Sequence, residues 1–245
     1  MKWYEQFFDG VAMDFWKAAV PEEWTRAEVV FLKESLVLAP GSSVLDVPCG
    51  FGRHALALAA EGIRVRGIDI APACVEEVNA RAKAANLPAE AVLGDLAGVD
   101  LGGPFDGAYC LGNSFGYFDP DDMLGFCRRV AAALRPAGRF VIHTAMAAES
   151  VLPDFREREW ITAGDITCLM ANGYDSERSV VETHYTFIRD GRVEKRSSEH
   201  YVYTVGEIGR LLAASGFRVL CSVGSPDGTP FEFKDPQLYI IAEKR

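Results

Sequence analysis

Val44-Leu45-Asp46-Val47-Pro48-Cys49-Gly50-Phe51-Gly52-Arg53-His54-Ala55 is the stretch on which the fold turns. An apolar run that ends in an acid passes through two closely spaced glycines into a helical stretch. Glycine accepts positive φ and lets a ligand approach the backbone, so this order reads as a strand turning sharply into a helix. The free amides and the positive dipole end of that helix suit a bound polar group. By spacing alone, Gly50-x-Gly52-x-x-Ala55 fits a dinucleotide as well as another ribose-bearing cofactor, and Asp69, at the end of the next apolar run, serves a ribose in either case. Asp46 separates the two, because a carboxylate just before the turn suits a ligand with a cation near the loop rather than a pyrophosphate. With Asp95 ending the following run, three acids share one crevice. Such a site repels a diphosphate and suits an ammonium, a sulfonium and a ribose; the competing reading of strand-end acids is as helix caps.

Outward from this stretch, Val44 to Val47, Val65 to Ile68, Ala91 to Leu93, Phe105 to Leu111 and Arg139 to Thr144 are strand candidates. They alternate with helical stretches near 53–61, 72–85 and 120–134, the last two opening on Pro72 and Pro120. Strand and helix in alternation imply a doubly wound α/β fold, a parallel sheet covered on both faces. Thr204 and Glu207 form a capping box, and Phe217 to Val223 and Leu238 to Ala242 form a closing antiparallel pair. Between about Phe155 and Tyr203 the alternation stops. Asp190-Gly191 is a two-residue turn joining Ser179–Arg189 to Arg192–Tyr203, which sets Ile188 opposite Val193, Tyr185 opposite Arg196 and Glu182 opposite Glu199. At the N-terminus, Trp3, Phe7, Val11 and Phe15 recur at helical spacing over residues 3 to 17, and Thr25 with Glu28 reads as a second capping box. The expected organisation is an N-terminal helical lid over 1–40, a cofactor-binding α/β core over 41–150 and 204–245, and an antiparallel β insertion over 151–203 on the acceptor side.

These motifs together resemble the class I S-adenosylmethionine-dependent methyltransferases, in particular their small-molecule branch. The likeness runs over residues 25 to 145. Val44 to Arg53 matches the family's first motif, Gly67-Ile68-Asp69-Ile70 its acidic second-strand motif and Gly94-Asp95-Leu96 its adenine loop. Phe105 to Phe115 matches the fourth-strand motif, and Leu134-Arg135-Pro136-Ala137-Gly138 the turn before the fifth strand. The resemblance implies a Rossmann-like seven-stranded sheet whose last strand is antiparallel, and S-adenosyl-L-methionine as cofactor. It further implies that the loop containing Asp46, Pro48, Cys49, Gly50, Gly52 and Arg53 holds the methionine end, and that Asp69, followed by Ile70, takes the ribose. Asp95 and Leu96 would bracket adenine, and Gly112 with Asn113 would border the sulfonium. Pro48 stands where a small or β-branched residue is more usual, and Ala137 where glycine is.

A methyl group on a sulfonium is already activated, so transfer to an O or N atom is an in-line displacement that needs orientation above all. His143, at the end of the fifth strand, is the candidate base for a hydroxyl acceptor; a structural role is its alternative. His184, His200, Tyr185 and Tyr201 could line an acceptor pocket, although surface positions on the hairpin are the better reading for most of them. Asp119-Pro120-Asp121-Asp122 reads as a helix start, and no metal is expected.

The 245 residues carry 25 Lys and Arg against 35 Asp and Glu, a net charge of -10 that disfavours nucleic acid and anionic membranes. Asn113 is followed by Ser114 and Phe115, without the Pro-Pro signature of base methylation. A small-molecule acceptor is therefore expected. The six scattered cysteines and an acidic start without a leader pattern point to the cytoplasm. The exposed hairpin edge suggests a homo-oligomer contact. An NAD-linked oxidoreductase and a noncatalytic cofactor-binding or interaction module stand as alternatives.

Overall fold

The computed structural model describes residues 2–245. A single 3-10 turn, Trp3–Glu5, precedes α1 (Gly10–Ala19) and α2 (Glu22–Ser35). The alternating region then runs β1 (Ser43–Asp46), α3 (Arg53–Ala60), β2 (Arg64–Asp69), α4 (Pro72–Ala84), β3 (Ala89–Leu93), β4 (Phe105–Cys110), α5 (Pro120–Ala133) and β5 (Leu134–Thr144). After the short α6 (Ala148–Val151) come β6 (Arg158–Ala163), β7 (Ile166–Asp175), β8 (Val180–Arg189) and β9 (Arg192–Tyr201), and the chain closes with α7 (Val205–Ala214), β10 (Phe217–Val223) and β11 (Leu238–Lys244).

The strands form a seven-stranded sheet in the order β10-β11-β5-β4-β1-β2-β3, in which β11 alone runs against its neighbours. The sheet is apolar on both faces because helices cover both. Val29 and Leu32 of α2 pack with Leu58 and Ala59 of α3 on one side. Phe126 and Val130 of α5 pack with Ile208 and Leu212 of α7 on the other. All parallel strands deliver their C-terminal ends to one edge, which is where this architecture leaves a crevice.

The insertion is larger than the hairpin expected from its turn. Ile188 faces Val193, Tyr185 faces Arg196 and Glu182 faces Glu199 as read from the sequence, and Arg178 bridges the two like charges at 3.0 and 3.1 Å. Two further strands, β6 and β7, complete a four-stranded antiparallel sheet in the order β6-β7-β8-β9. One face of this sheet is solvated, with Trp160 73% exposed. The other packs on α1, where Val11, Ala12 and Phe15 meet Ile166, Cys168 and Phe187.

Two N-terminal expectations need correction. The helix read over residues 3 to 17 is broken, because Asp9 is extended and ion-paired to Arg196 at 2.7 Å, and Gly10 takes φ +49 as α1 begins. The Thr25–Glu28 capping box does not form. α2 starts four residues earlier, after Pro21, and both side chains are engaged elsewhere. The capping box at Thr204 and Glu207 is present. Asp119 caps α5 by accepting from the Asp121 and Asp122 amides at 3.1 and 2.9 Å. Among the described residues no helix is long and apolar enough to cross a membrane.

The two sheets are joined at the end of β9. The Tyr201 amide donates to the Gly116 carbonyl at 2.8 Å, the Tyr203 hydroxyl donates to Phe118 O at 3.0 Å, and Tyr203 bridges to Ala147. Phe15 is fully buried between α1 and the second sheet, with its ring centre 5.5 Å from that of Phe187. Phe15→Ala is expected to cost about 3–5 kcal/mol in urea denaturation, the usual loss for a large aromatic in a packed core.

Candidate active site

A cavity of about 520 Å³ lies between the strand-end loops of the large sheet and the inward face of the second sheet. Its size is within the usual range for a small-ligand site, roughly 300–1,000 Å³. Each wall follows from local sequence. The β1–α3 turn supplies Pro48, Cys49, Gly50 and Arg53. Gly50 and Gly52 take φ +51 and +75, and a Cβ on Gly52 would lie 2.5 Å from the Val78 side chain, so α3 and α4 can close on this turn only with glycine there.

Asp69 and Ile70 line the cavity from the end of β2. The Asp69 carboxylate accepts from the Gly50 amide at 2.7 Å and from the Ala71 amide at 2.9 Å. Burial raises its pKa and these amides oppose that rise. Asp46 is 2% exposed and stands off the cavity wall, as Gly52 does. Its Oδ2 has no hydrogen-bond partner, nor does the Tyr109 hydroxyl beside it, and burial pushes its carboxyl well up. A buried acid with a free oxygen behind a glycine turn suits a ligand that brings a cation to this loop. Cys49 lines the cavity, yet burial and then the two nearby acids push its thiol far up, so it stays protonated.

Farther along the edge stand Asp95, Leu96, Gly112 and Asn113, all on the wall. Asp95 binds the Ala97 amide at 2.8 Å and faces Lys2 at 3.6 Å. Asn113 holds φ +65, and its side chain turns to the end of β5, accepting from Thr144 Oγ1 at 3.1 Å and the Ala145 amide at 2.8 Å. Its backbone borders the cavity. The loop read as the sulfonium border is thus pinned to the end of β5.

His143 is placed differently from its sequence reading. It is buried outside the cavity lining, stacked on Tyr239 at 4.5 Å with Nε2 bonded to Gln237 at 2.5 Å, and burial lowers its pKa. The cavity instead carries His200, 5% exposed on the inward face of β9 between Trp3 and Tyr117. Tyr185 is buried beside it and lines the same wall. These two therefore line the cavity, as one of the two readings of the hairpin had it, rather than lying on the hairpin surface, because their face packs on the N-terminal segment. Trp3, Phe7 and Phe8 of that segment line the cavity.

The cavity wall supplied by the second sheet was illegible in the motifs. Asn172, Thr183 and Ser198 sit opposite one another on β7, β8 and β9, forming a polar row among apolar inward positions. Thr183 donates to Asn172 at 2.8 Å, and Asn172 Nδ2 donates to Glu159 at 3.3 Å. Glu159 and Asp154 both reach the cavity. The available signal was polar side chains at the inward phase of a period-two pattern, which means little before the strands are paired.

Residues 44–138 match the family model described as a methyltransferase domain. The chain carries a methyltransferase domain of the class I S-adenosylmethionine-dependent kind. It is 26% identical over 193 residues to the dTDP-3-amino-3,6-dideoxy-alpha-D-glucopyranose N,N-dimethyltransferase of Streptomyces fradiae, covering 76% of this chain and 74% of that one. It is 34% identical over 113 residues to the S-adenosyl-L-methionine-dependent Diels-Alderase iccD of Talaromyces variabilis, an alignment spanning 44% of this chain and only 37% of that protein. The CcbJ methyltransferase of Streptomyces caelestis superposes with a TM-score of 0.84 over 98% of both chains at 18% identity, a likeness of fold. S-adenosylmethionine is the cofactor of this methyltransferase family, and the orphaned Asp46 oxygen, the glycine cradle and the buried Asp69 fit its ammonium, backbone approach and ribose.

Burial lowers the pKa of His200 from 6.5 to about 4, against a smaller opposing effect of the Asn113 backbone. Between those values the unfolded chain binds the proton and the folded chain does not, so stability falls as pH drops through that window, by up to about 1.4 kcal/mol per pH unit. His200→Gln is expected to flatten the decline in urea midpoint between about pH 6.5 and pH 4.5.

Proposed function

We propose that this methyltransferase transfers a methyl group to the amine nitrogen of a small polar acceptor, of the amino-sugar class. The observation that carries the reading is Glu159, a carboxylate that Asn172 holds at the cavity wall on the side of the second sheet, with Asp154 beside it on the same wall. Glu159 and Asp154 share this wall with Arg156, and the Glu159 carboxylate attracts an ammonium group and accepts its N–H bonds. A carboxylate that accepts one N–H of the amine fixes the direction of the nitrogen lone pair, and an amine requires no strong base once neutral. His200 is neutral at neutral pH because it is buried, so it adds no positive charge to repel a cationic acceptor.

The cofactor supplies a methyl group already bonded to positively charged sulfur. The chain supplies alignment and dryness. Gly112 and Asn113 face the wall that bears Tyr185 and His200, and Trp3, Phe7 and Phe8 exclude water from above. The N,N-dimethyltransferase relative supports an amine acceptor on a sugar. The Diels-Alderase relative makes transfer itself the point to test.

The test pairs amino sugars, including dTDP-3-amino-3,6-dideoxy-α-D-glucose, with their hydroxyl counterparts and reads S-adenosylhomocysteine release and product mass. Methylation of amines alone is expected. Turnover confined to the hydroxyl compounds would overturn the reading. Glu159→Gln should raise KM for the amine about 10- to 100-fold with kcat less affected, the usual weight of a charge-assisted hydrogen bond.

In the ribose half of the site, Asp69→Ala removes the carboxylate that orders the Gly50 amide. It should weaken S-adenosylmethionine binding by at least about ten-fold in calorimetry.

A further inference from the structure

Glu28 is 0% exposed, and a carboxylate in that position is costly unless every oxygen is used. Here both are. Oε2 pairs with Arg53 and accepts from His54 Nε2 at 2.9 Å, while Oε1 accepts from the Tyr239 hydroxyl at 3.0 Å. A carboxylate can only accept, which places the His54 proton on Nε2. Burial pushes the Glu28 carboxyl up, but the His54 hydrogen bond and the Arg53 charge outweigh it and hold it well below the usual range. The helix around Glu28 is otherwise anchored by Val29 and Leu32 packing on the large sheet, so a leucine would serve packing alone.

Arg53 is what distinguishes this cluster from a stray buried acid. It is the first residue of α3, directly after the glycine turn, and it lines the cavity. Its Nη1 is engaged twice from α2, by Glu28 and by Thr25 Oγ1 at 3.1 Å, one helical turn apart. Among the described residues Nε and Nη2 have no protein partner. A guanidinium is a rigid fork, so fixing one nitrogen fixes the direction of the remaining edge. Next to it lie Asp69 and Asp46, acids that suit an ammonium, so the complementary group for the free edge is a carboxylate.

We propose that Glu28 is a positioning residue that, through Arg53 Nη1, aims the free edge of the guanidinium at the carboxylate of the cofactor's methionine end. The proposal rests on the S-adenosylmethionine reading of the cavity. It also ties α2 to cofactor recognition, a role the helix does not reveal in sequence.

The test is calorimetry on the full chain with S-adenosylhomocysteine and with 5′-methylthioadenosine, which lacks the amino-acid end. In Glu28→Gln, S-adenosylhomocysteine should bind about ten-fold or more weaker while methylthioadenosine changes less than about two-fold; ten-fold corresponds to 1.4 kcal/mol. Tyr239→Phe touches only Oε1 and should leave the ratio of the two affinities as in the wild type, even if the melting temperature falls. Arg53→Met should lose the same discrimination, and adding Glu28→Gln to it should cost no more. Should Glu28→Gln fail to fold, retention of full discrimination by Arg53→Met overturns the proposal by itself. Equal weakening of both ligands by Glu28→Gln overturns it while leaving the cofactor reading intact. Failure of the wild type to bind either ligand overturns both.

Discussion

The turn from Cys49 to Gly52 is the constraint on which the rest depends. α3 and α4 approach there so closely that Gly52 meets Val78, and β2 passes so near that a Cβ on Gly67 would lie 2.8 Å from Cys49. Asp69 then ties the end of β2 to the Gly50 amide at 2.7 Å. One tight turn therefore fixes the spacing of β1 and β2, the direction of α3 and the acids at the strand ends. The energy that makes this geometry stable lies elsewhere, in the apolar burial on both faces of the sheet. Against that burial the turn holds two acids, Asp46 and Asp69.

The second sheet converts a cofactor crevice into an enclosed site. Its inward face would be a continuous apolar surface for α1 were it not for the row Asn172, Thr183 and Ser198, which prolongs the cavity between the sheets. Backbone contacts at Gly116 and Phe118 set the distance between this row and the Gly112–Asn113 loop. A Cβ on Gly116 would lie 2.8 Å from Tyr201 O, so glycine is required at the junction. Orientation of two reactants, rather than acid-base assistance, is what such an assembly provides.

The large sheet was readable in sequence because its signals are local. Alternating apolar runs, prolines at helix starts and the glycine turn each act over a few residues, and Phe217–Val223 with Leu238–Lys244 paired as expected. Ten of the twelve residues read from these local motifs as cofactor-binding line the cavity, while Asp46 and Gly52 stand just behind it. What escaped depends on partners far apart in the chain. Glu28 looked like a cap until Arg53, His54 and Tyr239 converged on it. His143 had the right strand end but is claimed by Gln237 and Tyr239, and His200 is buried only because Trp3 and Tyr117 close over it. β6 and β7 lacked a turn signal as strong as Asp190-Gly191.

The account stands on one claim, that the acids at the strand ends select a cationic, ribose-bearing cofactor over a diphosphate-bearing one. Titration of the protein with S-adenosylmethionine and with NADH under the same conditions tests it most directly. Saturable binding of S-adenosylmethionine with no measurable NADH binding is the predicted result, and tight NADH binding in place of S-adenosylmethionine would contradict it.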